Sequence, residues 1–192
     1  MPSAVEDSSV VSVNRVRWGV LACGAVLALT GCESTPEGSA EPATPSAAAE
    51  VPAGFDPCTD IPRDVLESEG LAGYSRPTRS DISGGKWRGC MFVKTDGYAV
   101  DIQTATITVD MVRDKGFPGT VEFTIGDRRA ITSQRQKTDT AAACSVTVEM
   151  KGGSLEFGLS NPASRQKTGH LDSCELARTL AGKVVPAIPA GA

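Results

Sequence analysis

Histidine is almost absent from this chain of 192 residues, which has only His170. Sites that need several imidazole groups, such as a three-histidine zinc centre, are therefore excluded. Aromatic residues make up only 5% of the chain, and basic residues are too few to balance the acids, since 19 Lys and Arg face 23 Asp and Glu. Binding to nucleic acid through a basic face requires the opposite charge balance, so we expect no nucleic-acid partner.

Long apolar runs are also scarce, and the one that stands out covers residues 18–30, directly after two arginines. It is shorter than the roughly 20 residues of a transmembrane helix and is typical of the apolar region of a signal peptide. It ends in Leu29-Thr30-Gly31-Cys32, which resembles the lipobox of bacterial lipoproteins. The resemblance implies cleavage before Cys32, a diacylglycerol thioether on its sulfur and acylation of the new amino terminus. An ordinary cleaved signal peptide and an anchor helix are the alternatives.

We therefore predict a lipoprotein signal peptide over residues 1–31 and a lipid anchor at Cys32. Two or three acyl chains hold a protein on a membrane where one chain barely does. The predicted location is the extracytoplasmic face of the cell membrane.

Residues 32–54 lack the apolar content of a folded segment. After Cys32 they consist of Pro, Ala, Ser, Thr, Gly and Glu, with Val51 as the only branched aliphatic residue and Phe55 as the next aromatic. Such a composition buries too little apolar surface to offset the entropy lost on ordering, so we predict a disordered tether. It contains four glutamates and no Lys or Arg, and it therefore accounts for most of the acidity of the chain.

The remaining chain begins and ends with a sequence pattern that is typical of a helix. Residues 60–70 begin with a capping aspartate, have Pro62 in the first turn and end at Gly70. Residues 171–184 repeat apolar side chains at helical spacing, and Pro186 ends the pattern.

Between these helices, apolar and polar residues alternate with the period of two that is typical of half-buried strands. The alternation slips by one residue at Ile107 and Val109, which predicts a bulge or a break, and Gly152-Gly153 predicts a hairpin. We predict an α+β domain over residues 55–187, followed by a tail over 188–192. Its single antiparallel sheet has five or six strands, with an N-terminal and a C-terminal helix packed on one face.

Four cysteines remain when the signal peptide and the lipidated residue are set aside. An even number in an exported domain indicates disulfides, for which three connectivities are possible. We predict Cys58–Cys90, which joins the first helix to a strand, and Cys144–Cys174, which joins a strand to the last helix. No two of the four are fewer than 30 positions apart, whereas zinc ligands and redox cysteines usually come in close pairs.

Three short motifs resemble the DUF3558 family of actinobacterial lipoproteins. They are Phe55-Asp56-Pro57-Cys58-Thr59-Asp60-Ile61-Pro62, Gly70-Leu71 and Gly89-Cys90, with Phe92 at a position where the family often has tryptophan. The resemblance covers roughly residues 55–185, including the late cysteine pair. It implies an α+β fold and an envelope location, but the family is of unknown function and supplies no active site.

Catalytic constellations are missing from the sequence. His170 stands beside Gly169 before the last helix without a Gly-x-Ser-x-Gly motif, and we interpret it as a solvated side chain. Arg128-Arg129 and residues 135–137 form a modest basic cluster that we expect to face solvent. Most acids fall on predicted polar faces, where solvation explains them: Asp64, Glu67, Asp101, Glu149 and Glu156. We predict no catalytic residue, no metal site and no cofactor.

These observations favour a non-enzymatic envelope lipoprotein that binds an envelope protein or a cell-wall component. The alternative is a carrier of an apolar ligand with a cavity between helix and sheet, lined by Val100, Ile102, Phe123, Val146, Phe157 and Leu180. A hydrolase with paired carboxylates is a third hypothesis. No oligomeric state is predicted.

Overall fold

The computed structural model describes residues 50–134 and 140–192, and one antiparallel sheet forms the centre of this part of the chain. In chain order the strands are β1 (Ser75–Ile82), β2 (Gly85–Val93), β3 (Ala99–Ala105), β4 (Val121–Ile125), β5 (Arg128–Ser133), β6 (Ala143–Met150) and β7 (Gly153–Ser160). Their spatial order is β1-β2-β3-β7-β6-β5-β4, so the last strand returns to the middle and pairs with β3. β3 and β7 therefore each have a hydrogen-bonded neighbour on both sides.

Three α-helices accompany the sheet in the described residues: α1 (Arg63–Glu69), α2 (Val109–Lys115) and α3 (Ser173–Val184). α1 begins after Pro62 and ends at Gly70, which adopts a left-handed conformation (φ 70°) that glycine tolerates best. α2 and α3 begin with side-chain caps. The Thr108 hydroxyl accepts a hydrogen bond from the Met111 amide, and the Asp172 carboxylate accepts one from the Glu175 amide.

The main core lies between α3 and one face of the sheet. α3 contacts β6 and β7, and α1 contacts α3. The helix buries its apolar stripe, as the sequence predicts, and its members are Ala177, Leu180, Ala181 and Val184. The sheet contributes the alternating apolar residues of its inner strands: Val100, Ile102, Val146, Val148, Leu155, Phe157 and Leu159.

α2 packs on the opposite face and is a third helix that the sequence did not predict, whereas the two predicted helices, α1 and α3, both contribute to the main core. Its Val109 and Val112 bury against Ile131 of β5, whereas the neighbouring Ala130 belongs to the main core. The phase slip at Ile107 and Val109 is therefore the end of β3 followed by a new helix, and not a bulge within one strand.

The sheet has seven strands, so the prediction of five or six was too low. The unpredicted strand is β1, an edge strand whose residues are almost all exposed. Its sequence Ser-Arg-Pro-Thr-Arg-Ser-Asp-Ile has no alternation of apolar and polar residues, because neither of its faces is covered by the core.

The predicted signal peptide and most of the predicted tether lie outside the described residues. Within residues 50–134 and 140–192, no helix combines the length and the apolar character that crossing a bilayer would require.

Candidate functional site

A shallow trough on the polar face of the sheet is the candidate functional site. It lies on the same face as α2, at the end of the sheet where the start of β3, the end of β7 and the start of β6 are neighbours. Its volume is about 290 Å³, and it is lined by Asp101, Ala143, Cys144, Ser145, Gly158, Leu159 and Ser160.

The trough is concave because the side chains at its centre are small. Gly158 of β7 lies between two partners, opposite Asp101 in β3 and opposite Ser145 in β6. A Cβ atom added to Gly158 would come no closer than 3.9 Å to other residues, at the Asp101 carbonyl oxygen. The space above this glycine is thus open, and a larger side chain there would fill the trough without a backbone clash.

Asp101 is the titratable group in the trough, and its pKa lies above the usual value of an aspartate. Partial burial is the main cause, and the negative charge of Glu156 adds to it. The Arg76 guanidinium and the Thr78 hydroxyl act in the opposite direction without cancelling the effect. A partly desolvated carboxyl group in a concave surface is typical of a binding site, because a ligand can compensate the lost solvation.

Two side-chain hydrogen bonds orient the polar residues of the sheet next to the trough. The Trp87 indole Nε1 donates to Glu156 Oε2 at 3.2 Å, and the Gln103 amide Nε2 donates to Thr78 Oγ1 at 2.8 Å. Glu156 is only 7% exposed, which corrects the interpretation of this acid as a solvated residue. Its partner strand places it opposite Gln103, diagonal to Asp101 on the same face. The two carboxylates therefore lie side by side and do not face each other across a cleft.

The predicted tether reaches the domain at the other end of the sheet. Lys86 Nζ, near the start of β2, lies 2.6 Å from Glu50 Oε1. Pro52 is buried and packs beside Gly153, where β7 begins. Contacts between the chain and the domain thus extend back to Glu50, into the segment that composition assigns to the tether.

The C-terminal residues meet the tether at the same end. Gly54 contacts Ala192, and the Arg128 guanidinium donates hydrogen bonds to the carbonyl oxygens of Glu149, Pro189 and Ala192 at 3.1, 2.9 and 2.8 Å. Arg128 begins β5 and Gly153 begins β7. The trough, at the far end of β7, is therefore separated from the tether by the length of a strand.

A family model for proteins of unknown function, DUF3558, matches residues 27–187, which is more than half of the chain. The chain belongs to the DUF3558 family. No curated protein and no solved structure matches it. The family is of unknown function, so any activity must be argued from the DUF3558 domain itself.

Both disulfides of this DUF3558 domain have the predicted pairing. Cys58–Cys90 joins the turn before α1 to β2, and Cys144–Cys174 joins β6 to the first turn of α3. The two bonds attach the outer helices to the sheet at separate places. Cys32, the predicted lipidation site, lies outside the described residues.

The basic cluster predicted in this DUF3558 chain is largely neutralised by neighbours. Arg129 pairs with Asp110 at 2.8 Å, Glu122 at 3.4 Å and Glu149 at 3.8 Å. Arg128 is occupied by carbonyl oxygens, and residues 135–137 lie outside the described part.

Two further sequence candidates can be placed in the DUF3558 domain. His170 is exposed in the loop before α3. The six residues proposed to line an apolar cavity lie in or against one packed core cluster. The pockets described here open at the surface, so this arrangement gives the carrier hypothesis no support. Among the described residues, no group of three or more His, Cys, Asp or Glu is placed to hold a metal ion.

The trough itself was missed by sequence reasoning. The polar positions of β7 at its far end, Gly158 and Ser160, are small, and so are Ala143 and Ser145 in β6. Small residues at alternate positions of a hairpin are the one signal that could have indicated a depression on this face.

Proposed function

We propose that this DUF3558 protein is a lipid-anchored extracytoplasmic binding module that acts without catalysis. The lipobox-like motif at Cys32 and the two disulfides support an exported, membrane-held protein, since disulfides persist in oxidising compartments. The proposed partner is an envelope protein or a cell-wall component.

The observation that carries the binding role is the trough around Asp101. It combines concave shape, small side chains and one partly desolvated carboxyl group. The residues that line it include no imidazole, amine or free thiol that could act as a second catalytic group. A surface of this kind can accept a polar group of a partner without reacting with it.

The binding role can be tested by photo-crosslinking of the lipidated protein in its own cells. A photoreactive amino acid replaces Ser145 in the trough, and the control position is Thr179 on the exposed side of α3. We expect a reproducible crosslinked protein or cell-wall fragment from position 145 and none from position 179. Gly158→Val fills the trough and should reduce the crosslink about ten-fold, whereas the same yield with and without this substitution would refute the proposal.

The anchor is tested separately with Cys32→Ala. The variant should lose the labelled lipid and leave the membrane fraction, because the thiol is the only acceptor of the diacylglycerol group. If the variant stays firmly in the membrane, the apolar segment acts as a helical anchor and the lipoprotein proposal fails.

A further inference from the structure

The loop between β7 and α3, Asn161–Leu171, lies at the end of the sheet opposite the tether, and buried hydrogen bonds hold its conformation. Asn161 Nδ2 donates to the carbonyl oxygens of Thr168 at 2.8 Å and Leu171 at 3.0 Å, while Thr168 Oγ1 donates to Asn161 Oδ1 at 2.7 Å. Asn161 and Thr168 are only 2% and 4% exposed. These buried bonds hold the two ends of the loop together, as in compact Ω-loops, which are frequently functional.

Two further contacts restrict the middle of the loop. A side chain at Gly169 would lie 2.6 Å from the Ala163 carbonyl oxygen, so only glycine fits this turn. The Lys167 amide donates to the Asp96 carbonyl oxygen in the β2–β3 turn at 2.9 Å. The loop is therefore attached to the sheet, and its backbone holds the Cα positions of its exposed residues in place.

The exposed side chains of this loop include two cations without partners. Every other arginine in the described residues has an ion pair, a hydrogen bond or an aromatic contact, whereas the Arg165 guanidinium has none. The same holds for the Lys167 ammonium group, two positions away. The loop has no acidic residue of its own, and His170 is exposed three positions after Lys167. Unpaired cations on a backbone that is held in place favour an anionic ligand.

Apolar side chains are exposed at the same end of the domain. Leu171 is 43% exposed at the end of the loop, and Tyr74 is 51% exposed directly before β1, where its carbonyl oxygen bonds the Val93 amide. Val121, at the start of β4, is also half exposed at this end. Three of the four exposed large apolar side chains of the described residues thus lie at the end opposite the tether.

We propose that the Asn161–Leu171 loop is a docking surface for an acidic segment of a partner protein. Arg165 and Lys167 would bind its carboxylates, and Leu171 would contact an apolar side chain. Lipid headgroups fit less well, because the tether reaches the other end of the domain, about 23 Å away along β7. A phosphate polymer would make no use of the exposed leucine. The inference rests on the proposed function and names the partner class.

The test uses the full lipidated chain in its own cells, with a photoreactive amino acid at Gln166. The loop variant is R165E/K167E, and R165Q/K167Q removes the charge without reversing it. The matched control is K115E/K151E, which makes the same change at two lysines that also lack described partners but lie elsewhere. Since all four side chains are exposed, every variant should stay folded, which thermal unfolding checks.

We expect position 166 to crosslink to a peptide that sequencing by mass spectrometry shows to be rich in Asp and Glu. Charge reversal in the loop should reduce this product about ten-fold or more, charge removal should reduce it less, and the control should leave it unchanged. Leu171→Ala should also reduce it.

Crosslinks from position 166 only to phosphate polymer or lipid would overturn the inference, as would a protein product that is insensitive to the loop variants. If position 145 crosslinks and position 166 does not, the docking inference fails while the proposed function stands. If neither position crosslinks, both fail.

Discussion

Gly89 and Gly182 both lie inside regular elements, but their surroundings differ. In β2, a methyl group on Gly89 would overlap the Ile102 carbonyl oxygen and come within 2.7 Å of the Gln103 Cα. In α3, a methyl group on Gly182 would meet nothing within 4 Å.

Gly89→Ala should therefore lower the free energy of unfolding by about 2–3 kcal/mol, because the strand pair must separate to admit the methyl group. Gly182→Ala should raise it by about 0.5–1 kcal/mol, since alanine is the better residue in an open helical position. Urea unfolding of both variants measures the difference. Two changes of the same sign would contradict this account.

Glu69 at the end of α1 binds the buried Tyr98 and the partly exposed Lys183 of α3. The Tyr98 hydroxyl donates to Glu69 Oε2 at 3.2 Å, and the Lys183 ammonium group donates to Glu69 Oε1. Burial alone would raise the pKa of Glu69, but the hydrogen bond and charge of Lys183 and the bond from Tyr98 outweigh it and hold the pKa below its usual value. The ionised form is therefore favoured in the folded protein.

A lowered pKa means that this stabilisation is complete above the pKa of the unfolded chain, near 4.3, and is lost as the pH falls through the folded value. Glu69→Gln should cost about 1 kcal/mol at pH 7, after allowance for solvent screening, and little near about pH 2. Urea unfolding at both pH values tests this. Glu67→Gln is the control, because its partner Arg63 is 85% exposed, and a cost of Glu69→Gln that does not change with pH would be the contrary result.

At the scale of elements, the disulfides attach the outer helices to the sheet. Their sequence separations are nearly equal, 32 residues for Cys58–Cys90 and 30 for Cys144–Cys174. Restriction of the unfolded chain depends on the size of the closed loop, so replacing either pair by alanine should cost about 3–4 kcal/mol. Guanidinium unfolding of the two variants measures these costs. A loss below about 1 kcal/mol for either pair would show that the loop-closure explanation does not apply.

The elements that were predictable from the sequence are those whose pattern is imposed by the core. α3 has one buried face, and the β6–β7 hairpin alternates apolar residues toward the main core with polar or small residues on the other face, so the spacing in both shows the core. β1 has no buried face, and α2 has only seven residues with two buried valines, too short for a clear period. The capping Thr108 was the available sign of α2.

The trough was beyond sequence reasoning for a different reason. It depends on the register that places Gly158 opposite both Asp101 and Ser145, across two strand pairs. Such long-range pairing is set by the whole sheet. The disulfides could be predicted because four cysteines leave three pairings, and the chosen one joins each outer helix to a strand.

At the scale of the whole molecule, the tether prediction can be tested by proteolysis of the full chain. A glutamate-specific protease should cleave after Glu33 and Glu37 and give a stable fragment that begins at Gly38, because the proline after Glu41 blocks cleavage there. Cleavage after Glu50 should be about ten-fold slower, because Pro52 is buried and Glu50 pairs with Lys86.

Lys86→Met should accelerate the cleavage after Glu50, while Lys151→Met leaves it unchanged. Mass spectrometry of the fragments over time gives the rates. Early appearance of a fragment that begins at Val51 in the parent protein would show that these contacts do not protect the segment.

The contact of Gly54 with Ala192 has a practical consequence for labelling this protein. A fluorescent reporter fused after Ala192 would emerge beside the segment that leads to Cys32, and it would disturb the carbonyl groups that Arg128 binds. Such a fusion would lie against the tether and would leave the opposite end of the domain accessible. A reporter that should disturb neither end of the domain belongs on the exposed side of α3, for example at Thr179.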